Sequence, residues 1–513
     1  MHRFAGFTGI PALLFKIVLI GSIDSLLVSM LFAASAKNQG VIAAVIGAIL
    51  FFINIVYFSR RTMPFKFLLP GTILLVTFVV VPVFYTVLMS GFVYKTGNEI
   101  SKQDALVQLI NSGITADADN TTFDMVLGRV NGDLAALTTN QLNAEVGIAT
   151  EKGYTVLAPG SYTVDEYGVA RKTDGFVALT DTEAANSDSI ISTIKFPMGD
   201  GSFISPQGID VAVRVTQTFS YDKNSDSITN SATGDVYKDN HRGNFANSKN
   251  PDDTLAPGWR AYNNFENYLN LFRDPVVRGP FIGVFVWTFS FAIITVIMMF
   301  GAGLMLAIAM DKKIRFRRFY RSILILPYAI PSFMSILIWA GMFNRQYGAV
   351  NLLLGHQVDW LNSPWLAKAI ILIVNLWLGF PYFYLISSGA LQAIPQELEE
   401  AASIDGASPK QIMRRIKMPL LLQILAPLLI ASFAFNFNNF NIIYLLTGGG
   451  PTDVLSGKSA GATDILITYT YKTAFGSNQQ NLGLACAISM IIFIIVGALS
   501  MWSLRRSKVL ENM

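Results

Sequence analysis

The sequence predicts a mainly α, polytopic membrane protein with eight transmembrane helices and a large, mainly β insert after the third, on the translocated side of the membrane. Three observations carry this expectation. Of 513 residues, 52% are hydrophobic and 14% charged, a balance that excludes an ordinary soluble domain. Eight apolar stretches approach or exceed the roughly 20 residues with which a helix crosses a hydrocarbon core of about 30 Å. The charges are also segregated: residues 92–274 hold about 24 of the 34 acids against about 14 bases, whereas the other bases gather beside apolar stretches.

The first two stretches, near Leu14–Ala34 and Val41–Phe58, form a helical hairpin. Ala34-Ser35-Ala36 has the small-residue pattern of a signal-peptidase site. The apolar run before it is longer than a usual signal core, however, and a second span follows at once, which favours an uncleaved anchor. Asp24, inside the first span, reads either as a functional intramembrane charge or as an acid facing a neighbouring helix or polar cavity. The third span, about Phe67–Met89, contains Pro70 and Pro82, which are expected to bend it.

From Phe92 to Asp274 no apolar run reaches span length. Short runs such as Tyr154–Leu157, Gly175–Leu179 and Val211–Val215 are rich in valine, threonine and aromatics and are separated by Gly, Asn, Asp and Ser clusters, the pattern of strands and turns. A helix is expected near Gln103–Ile110. The single cysteine, Cys486, lies in an apolar stretch, so no intrachain disulfide braces this insert and its own core must hold it.

Five further spans are expected near Pro280–Met310, Phe319–Phe343, Trp365–Ala390, Leu420–Leu446 and Leu482–Leu504. Bases follow the even-numbered spans: Arg60 and Arg61; Lys312, Lys313, Arg315, Arg317, Arg318 and Arg321; Lys410, Arg414, Arg415 and Lys417; Arg505, Arg506 and Lys508. The positive-inside rule puts these groups and both termini in the cytoplasm and the acidic insert outside. The expected organisation is helices 1–3 in residues 1–91, the insert in 92–275, and a helical core in 276–513 that includes a charged hairpin at 395–419.

Several chemistries are disfavoured. Gly448-Gly449-Gly450-Pro451 followed by Ser456-Gly457-Lys458-Ser459 invites a phosphate-loop reading, but Thr452 stands where that loop needs its first glycine. No metal site is expected, because His2, His241 and His356 are far apart and no Cys/His cluster exists. There is no Gly-x-Ser-x-Gly elbow or recognisable acid/base pair, so no catalytic residue is assigned. The bases form no aromatic-interleaved patch, which argues against nucleic acid.

The informative polar residues lie inside the later spans. Tyr328 and Ser332 are four apart; Asn375, Gly379 and Tyr382 follow i, i+4, i+7; Ser432, Phe435, Asn436 and Asn439 follow i, i+3, i+4, i+7. Each set is expected on one helix face, turned away from lipid. One such face alone reads as interhelical hydrogen bonding or as a ligand site. Three together, uncharged and mixing aromatic rings with amides and hydroxyls, suit a neutral polyhydroxylated solute: rings cover the CH faces of a sugar and the polar groups pair with its hydroxyls.

The stretch Glu397–Pro419 is too polar for a bilayer and carries its own helix signals. Pro395 and the acids Glu397, Glu399 and Glu400 open a helix. Gly406 closes it, and Ser408, Pro409 and Gln411 form the capping box of a second. The order Glu400-Ala401-Ala402, Gly406, Ile416-Lys417-Met418-Pro419 resembles the coupling loop of ABC-importer permeases, with Met418 in place of the usual leucine. Over the whole chain, the eight spans, the insert after the third, and the stretches LILPYAIPSF, NLWLGFPY and ASFAFNFNNF look like the larger permease subunits of maltose/maltodextrin importers.

That resemblance implies an intramembrane sugar site at Tyr328, Ser332, Asn375, Leu378, Gly379, Tyr382, Ser432, Phe435, Asn436 and Asn439, with Leu378 contributed by the resemblance alone. It implies an ATPase-coupling loop carrying Glu400, Ala401, Ala402, Asp405, Gly406 and Pro419. It also implies a multi-pass protein of the bacterial inner membrane, partnered by a smaller permease subunit, an ATPase homodimer that holds ATP and Mg, and a periplasmic sugar-binding protein that meets the insert. No cofactor is expected in the chain itself. A permease for another neutral oligosaccharide, and a membrane-anchored sensor using the insert as receptor, are the competing readings.

Overall fold

The computed structural model describes residues 9–36, 39–58, 63–116, 121–180, 183, 194–311, 314–452, 460–476 and 480–506. His2, Arg60, Arg61, Lys312, Lys313, Lys508 and the stretch Ser456–Ser459 lie outside the described residues. The chain falls into two compact units, Met1–Thr86 and Val87–Met513.

In the first unit, α1 (Ile10–Ala36) and α2 (Gly40–Phe58) are apolar helices. Asn54 Nδ2 donates to Asp24 Oδ1 at 3.0 Å, so the acid inside the first span meets an amide on its neighbour. Ile53, Val56 and Leu69 form a small core with Leu27 and Tyr57. The third helix, α3 (Met63–Met89), is one helix despite its two prolines. It absorbs Pro82 through a π-turn at Val76–Val80, in which Val81 N–H reaches back to the Val76 carbonyl. The wider turn re-spaces the bond ladder just ahead of the residue that has no N–H to give.

The second unit opens with the insert. Its helix α4 (Lys102–Ser112) is capped by Ser101, whose hydroxyl accepts from Asp104 N. Among the described residues the main sheet has nine strands. Seven lie side by side in the order Phe196–Pro197, Ser202–Pro206, Val211–Gln217, Thr122–Val130, Asp133–Asn140, Val146–Thr150 and Gly153–Val156. The pairings between these neighbours are antiparallel. Thr122–Val130 alternates buried and half-buried positions along most of its length, so Phe123, Met125 and Leu127 enter a core with Phe196 and Ile204. A four-stranded sheet packs Ile228, Tyr237 and Phe245 against Leu109 of α4.

The stem of the insert is fastened to the helical core. Gly483 N donates to the Tyr94 carbonyl at 3.0 Å and Thr96 N to the Gln480 carbonyl at 2.8 Å. Asn267, on α5 (Glu266–Arg273), donates its amide to the carbonyls of Ser90 and Phe92, both at 2.9 Å. Insert and core thus meet at the start of the last long helix.

The core comprises α6 (Pro275–Asp311), α7 (Arg317–Ala329), α8 (Ser332–Met342), α9 (Ala349–Leu354) and α10 (Pro364–Gln392). These are followed by α11 (Gln396–Ile404), α12 (Pro409–Phe437), α13 (Phe440–Thr447), α14 (Leu466–Phe475) and α15 (Leu482–Arg506). Among the described residues six helices are long and apolar enough to cross a membrane. The pair α7–α8, taken as one broken span, is a seventh, and α2 is a shorter apolar helix.

Two predicted spans differ from the uninterrupted helices expected. The fifth is bent by 89° between α7 and α8. Pro331 supplies no N–H and disfavours helical backbone before it, and Ile330 is extended at φ −89°, ψ 132°. The seventh ends at Phe437, and Asn439 starts α13 by accepting from Ile442 N at 3.4 Å. Asparagine competes with helical backbone bonding and favours such caps. α14, outside every span and strand expected from the sequence, is tied down when Leu466 N donates to Thr288 Oγ1 at 2.9 Å.

Candidate functional site: a polar cavity and a charged hairpin

Parts of α6, α7, α8, α10, α12 and α13 surround a cavity of about 650 Å³. Tyr328, Ser332, Asn375, Leu378, Gly379, Tyr382, Ser432, Phe435, Asn436 and Asn439 all line it. Two of the three periodic sets reach it by a route other than the expected helix face. Tyr328 and Ser332 stand on opposite sides of the bend at Ile330–Pro331, and Asn439 lies beyond the end of α12. Only Asn375, Gly379 and Tyr382 share one unbroken helix.

Each wall has a local cause. On α10, Gly379 admits Met299 of α6: a Cβ there would sit 2.3 Å from the Met299 thioether sulfur and terminal carbon, so absence of a side chain permits the close approach. Asn375 Nδ2 donates to Asn436 Oδ1 at 2.8 Å, joining α10 to α12. Asn436 Nδ2 in turn donates to the Ser432 carbonyl one turn back, at 2.8 Å. The helix break between α7 and α8 places Ala329, Ile330 and Pro331 on the wall.

The cavity is uncharged. Its lining contains no Asp, Glu, Lys, Arg or His. Polar character comes from Asn375, Asn436, Asn439, Asn441, Ser332, Ser432 and the tyrosine hydroxyls, while Phe383, Leu378 and Ile442 supply apolar surface. Phe435 is 69% exposed and Tyr328 58% exposed, so these rings present open surface rather than filling the core. Such walls hydrogen-bond a neutral solute at fixed angles and cover its CH faces, but offer an ion no counter-charge.

Periodicity missed Met299, Ala329, Ile330, Pro331 and Asn441. Pro331 itself carried the signal for three of them, since a proline followed by a new apolar run marks a break whose freed backbone must face a polar space.

The hairpin follows its sequence signals closely. Glu397 and Glu399 lie in the first turn of α11, and Asp405 N donates to the Ala401 carbonyl at 3.0 Å as the helix ends. Gly406 then takes φ +79°, the left-handed conformation that costs other residues about 1–2 kcal/mol. Ser408 Oγ accepts from Gln411 N at 3.4 Å, and Gln411 Oε1 accepts from Ser408 N at 2.7 Å. Glu400, Ala401, Asp405 and Pro419 are exposed and Ala402 is half-buried. Ile404, at the tip, is 86% exposed.

Two features of the hairpin were not expected. Lys417 is half-buried and paired with Glu399, so it ties the two hairpin helices together, leaving Arg414 and Arg415 as the exposed bases of that turn. Moreover, Pro419 marks no boundary. The second hairpin helix continues from Pro409 to Phe437, with a π-turn at Met413–Lys417 placed two residues before the proline, as in α3. One helix therefore carries both the hairpin and the cavity residues Ser432, Phe435 and Asn436.

Residues 299–507 match the family described as binding-protein-dependent transport system inner membrane component. Over 482 residues the chain is 33% identical to the maltose/maltodextrin transport system permease protein MalF of Vibrio vulnificus strain YJ016, covering 89% of this chain and 88% of that protein. It is 40% identical over 336 residues to the protein of that name from Escherichia coli strain K12, covering 62% of this chain and 65% of that protein. Among solved structures it is similar to a chain of a bacterial ABC transporter involved in the import of the acidic polysaccharide alginate, at 20% identity and a TM-score of 0.41, covering 48% of this chain and 83% of that one. With one position in three identical over nearly its whole length, and with apolar helices on either side of a sheet-rich insert, the chain belongs to the MalF family of multi-pass inner-membrane transport permeases.

Proposed function

We propose that this chain is the larger permease subunit of an ATP-driven importer, passing maltose or maltodextrin from a periplasmic sugar-binding protein to the cytoplasm by alternating access. The observation that carries the reading is that one uncharged cavity is lined by all ten residues singled out above, nine of them polar, aromatic or small and the tenth Leu378. The relatives named for maltose/maltodextrin transport support this solute class.

In this reading the insert lies in the periplasm and receives the binding protein, while both termini and the hairpin are cytoplasmic. Residues 1–91 anchor the chain, 92–275 form the periplasmic domain, and 276–513 form the conducting core. The hairpin seats on one subunit of an ATPase homodimer, which holds ATP and Mg; a smaller permease subunit completes the pathway. Small residues at Ala401, Ala402 and Gly406 let the ATPase approach the backbone, and exposed Ile404 gives it an apolar contact. Closure of the ATPase displaces the hairpin. Because α12 runs unbroken from Pro409 to Phe437, about 40 Å at 1.5 Å per residue, that displacement reaches Ser432, Phe435 and Asn436 directly.

The test is to purify the chain with whatever subunits accompany it and measure binding and uptake over a panel of disaccharides and linear maltodextrins in the reconstituted complex. Saturable, ATP-dependent uptake of α-1,4-linked glucose oligomers is expected. Uptake restricted to another neutral oligosaccharide would reassign the solute. A chain that accompanies no ATPase would overturn the importer reading itself.

A further inference from the structure

We propose that the arginine cluster at the start of α7 binds the headgroup of an anionic phospholipid at the membrane surface. α6 runs apolar for most of its 37 residues and ends at Asp311, and the chain re-enters the apolar phase from Ser322 onward along α7. The residues between therefore stand where hydrocarbon gives way to headgroups. Arg315, Arg317, Arg318 and Arg321 occupy this level within seven positions.

Their described surroundings compensate little of the positive charge. Among the described residues the cluster makes one ion pair, Arg317 to Asp311 at a long 3.4 Å. The Nε atoms of Arg317 and Arg321 are shielded from solvent and have no hydrogen-bond partner among the described residues, although an N–H in such a place ordinarily has one. Arg317 and Arg321 are four apart on one helix and share a face, and the exposed Arg315 and Arg318 flank them. The guanidinium fork pairs with two phosphate oxygens at once, which an ammonium does not.

The same helix supplies the apolar half of the contact. Phe319, Tyr320, Ile323 and Leu326 are exposed on α7. At about 100° per residue, Phe319, Ile323 and Leu326 lie round the helix from Arg317 and Arg321 and nearer the exposed Arg318, so a lipid whose phosphate is held at Arg318 lays its acyl chain along them. An acidic protein surface would account for the arginines but leaves Ile323 and Leu326 without a partner.

The experiment is to place the purified complex in bilayers of phosphatidylcholine with phosphatidylglycerol and to measure, by spin-labelled lipids and by mass spectrometry of retained lipid, how strongly each is held. The wild type should retain phosphatidylglycerol preferentially. Arg317→Gln/Arg321→Gln should lower that preference about tenfold or more, from about 1 kcal/mol per basic residue near the surface. Arg317→Lys/Arg321→Lys should keep most of it. If the glutamine pair does not assemble, Arg315→Gln/Arg318→Gln, at exposed positions, should lower the preference in the same direction. An unchanged preference in the glutamine variants, or none in the wild type, overturns the proposal. Neither readout depends on sugar transport, so the result stands apart from the solute assignment.

Discussion

Asn375 and Asn436 are bonded to each other across the cavity wall: the Asn375 amide donates to the Asn436 side-chain oxygen at 2.8 Å, and the two residues are 3% and 1% exposed. One bond thus serves two purposes. It joins α10 to α12, as buried amides do between membrane helices. It also fixes which polar atoms face the cavity, because an amide held at one end presents its other groups in a set direction.

Asn436→Ala should leave the complex assembled but raise the half-saturating sugar concentration about tenfold, since the Asn375 donor is stranded at a cost of about 1–3 kcal/mol. Uptake at low sugar, beside native gel analysis of the complex, checks this. The double variant Asn375→Ala/Asn436→Ala should be less impaired than the sum of the two single changes, because the second substitution removes the stranded partner. Normal uptake at low sugar by Asn436→Ala would remove the assigned site.

Phe435→Ala separates solute contact from packing. The ring is 69% exposed, so its loss should change stability by no more than about 0.5 kcal/mol. A ring that stacks on a sugar contributes about 0.5–1.5 kcal/mol, so binding should weaken roughly three- to tenfold. Thermal unfolding and sugar titration of the same preparation distinguish these effects; a destabilised chain with unchanged affinity would assign Phe435 to the fold.

Gly406→Val addresses coupling. Nothing lies within 4 Å of a Cβ built at Gly406, so no clash is involved. The cost comes from φ +79°, which a β-branched residue tolerates poorly. Sugar-stimulated ATP hydrolysis should fall while sugar binding is retained. Gly406→Asn should recover part of the loss, because asparagine visits the left-handed region more readily. Unaltered stimulation in the valine variant would detach the hairpin from energy transfer.

The sequence was most legible where a physical rule acts locally. The turn at Gly406 and the Ser408–Gln411 capping box formed as their residue types require, because each depends on a few adjacent residues. Strands such as Val211–Gln217 and the helix at Lys102–Ser112 followed from pattern for the same reason. What stayed hidden was how the helices break. An apolar run of span length signals burial in lipid but not straightness, so the 89° bend at Ile330–Pro331 and the stop at Asn438 were invisible to hydropathy. Tyr328 and Ser332 reached the cavity although the shared face that grouped them does not exist. The α14 helix escaped notice because Ile467, Thr468, Thr470 and Thr473 are poor helix formers, held helical by tertiary bonds such as Leu466 N to Thr288 Oγ1. Asp464, buried ahead of it and paired with Lys472 at 2.7 Å, has no local signature at all.

The insert should show a specific acid sensitivity through Asp200. Its carboxylate accepts from the Ser202 hydroxyl and from Ser202 N–H at 2.9 Å, and Arg214 stands beside its other oxygen. These donors, the Ser202 hydroxyl foremost, hold the Asp200 carboxyl below its usual range. The folded state therefore binds the proton less readily than the unfolded chain. The stabilisation is complete above the ordinary aspartate value of about 3.9 and fades as pH falls through the lowered folded value. Strand Ser202–Pro206 should accordingly lose hydrogen-exchange protection on acidification below about pH 4, whereas Asp200→Asn should show weaker but flatter protection over the same window. Identical acid profiles for the two proteins would mean that Asp200 does not tune the stability of this sheet.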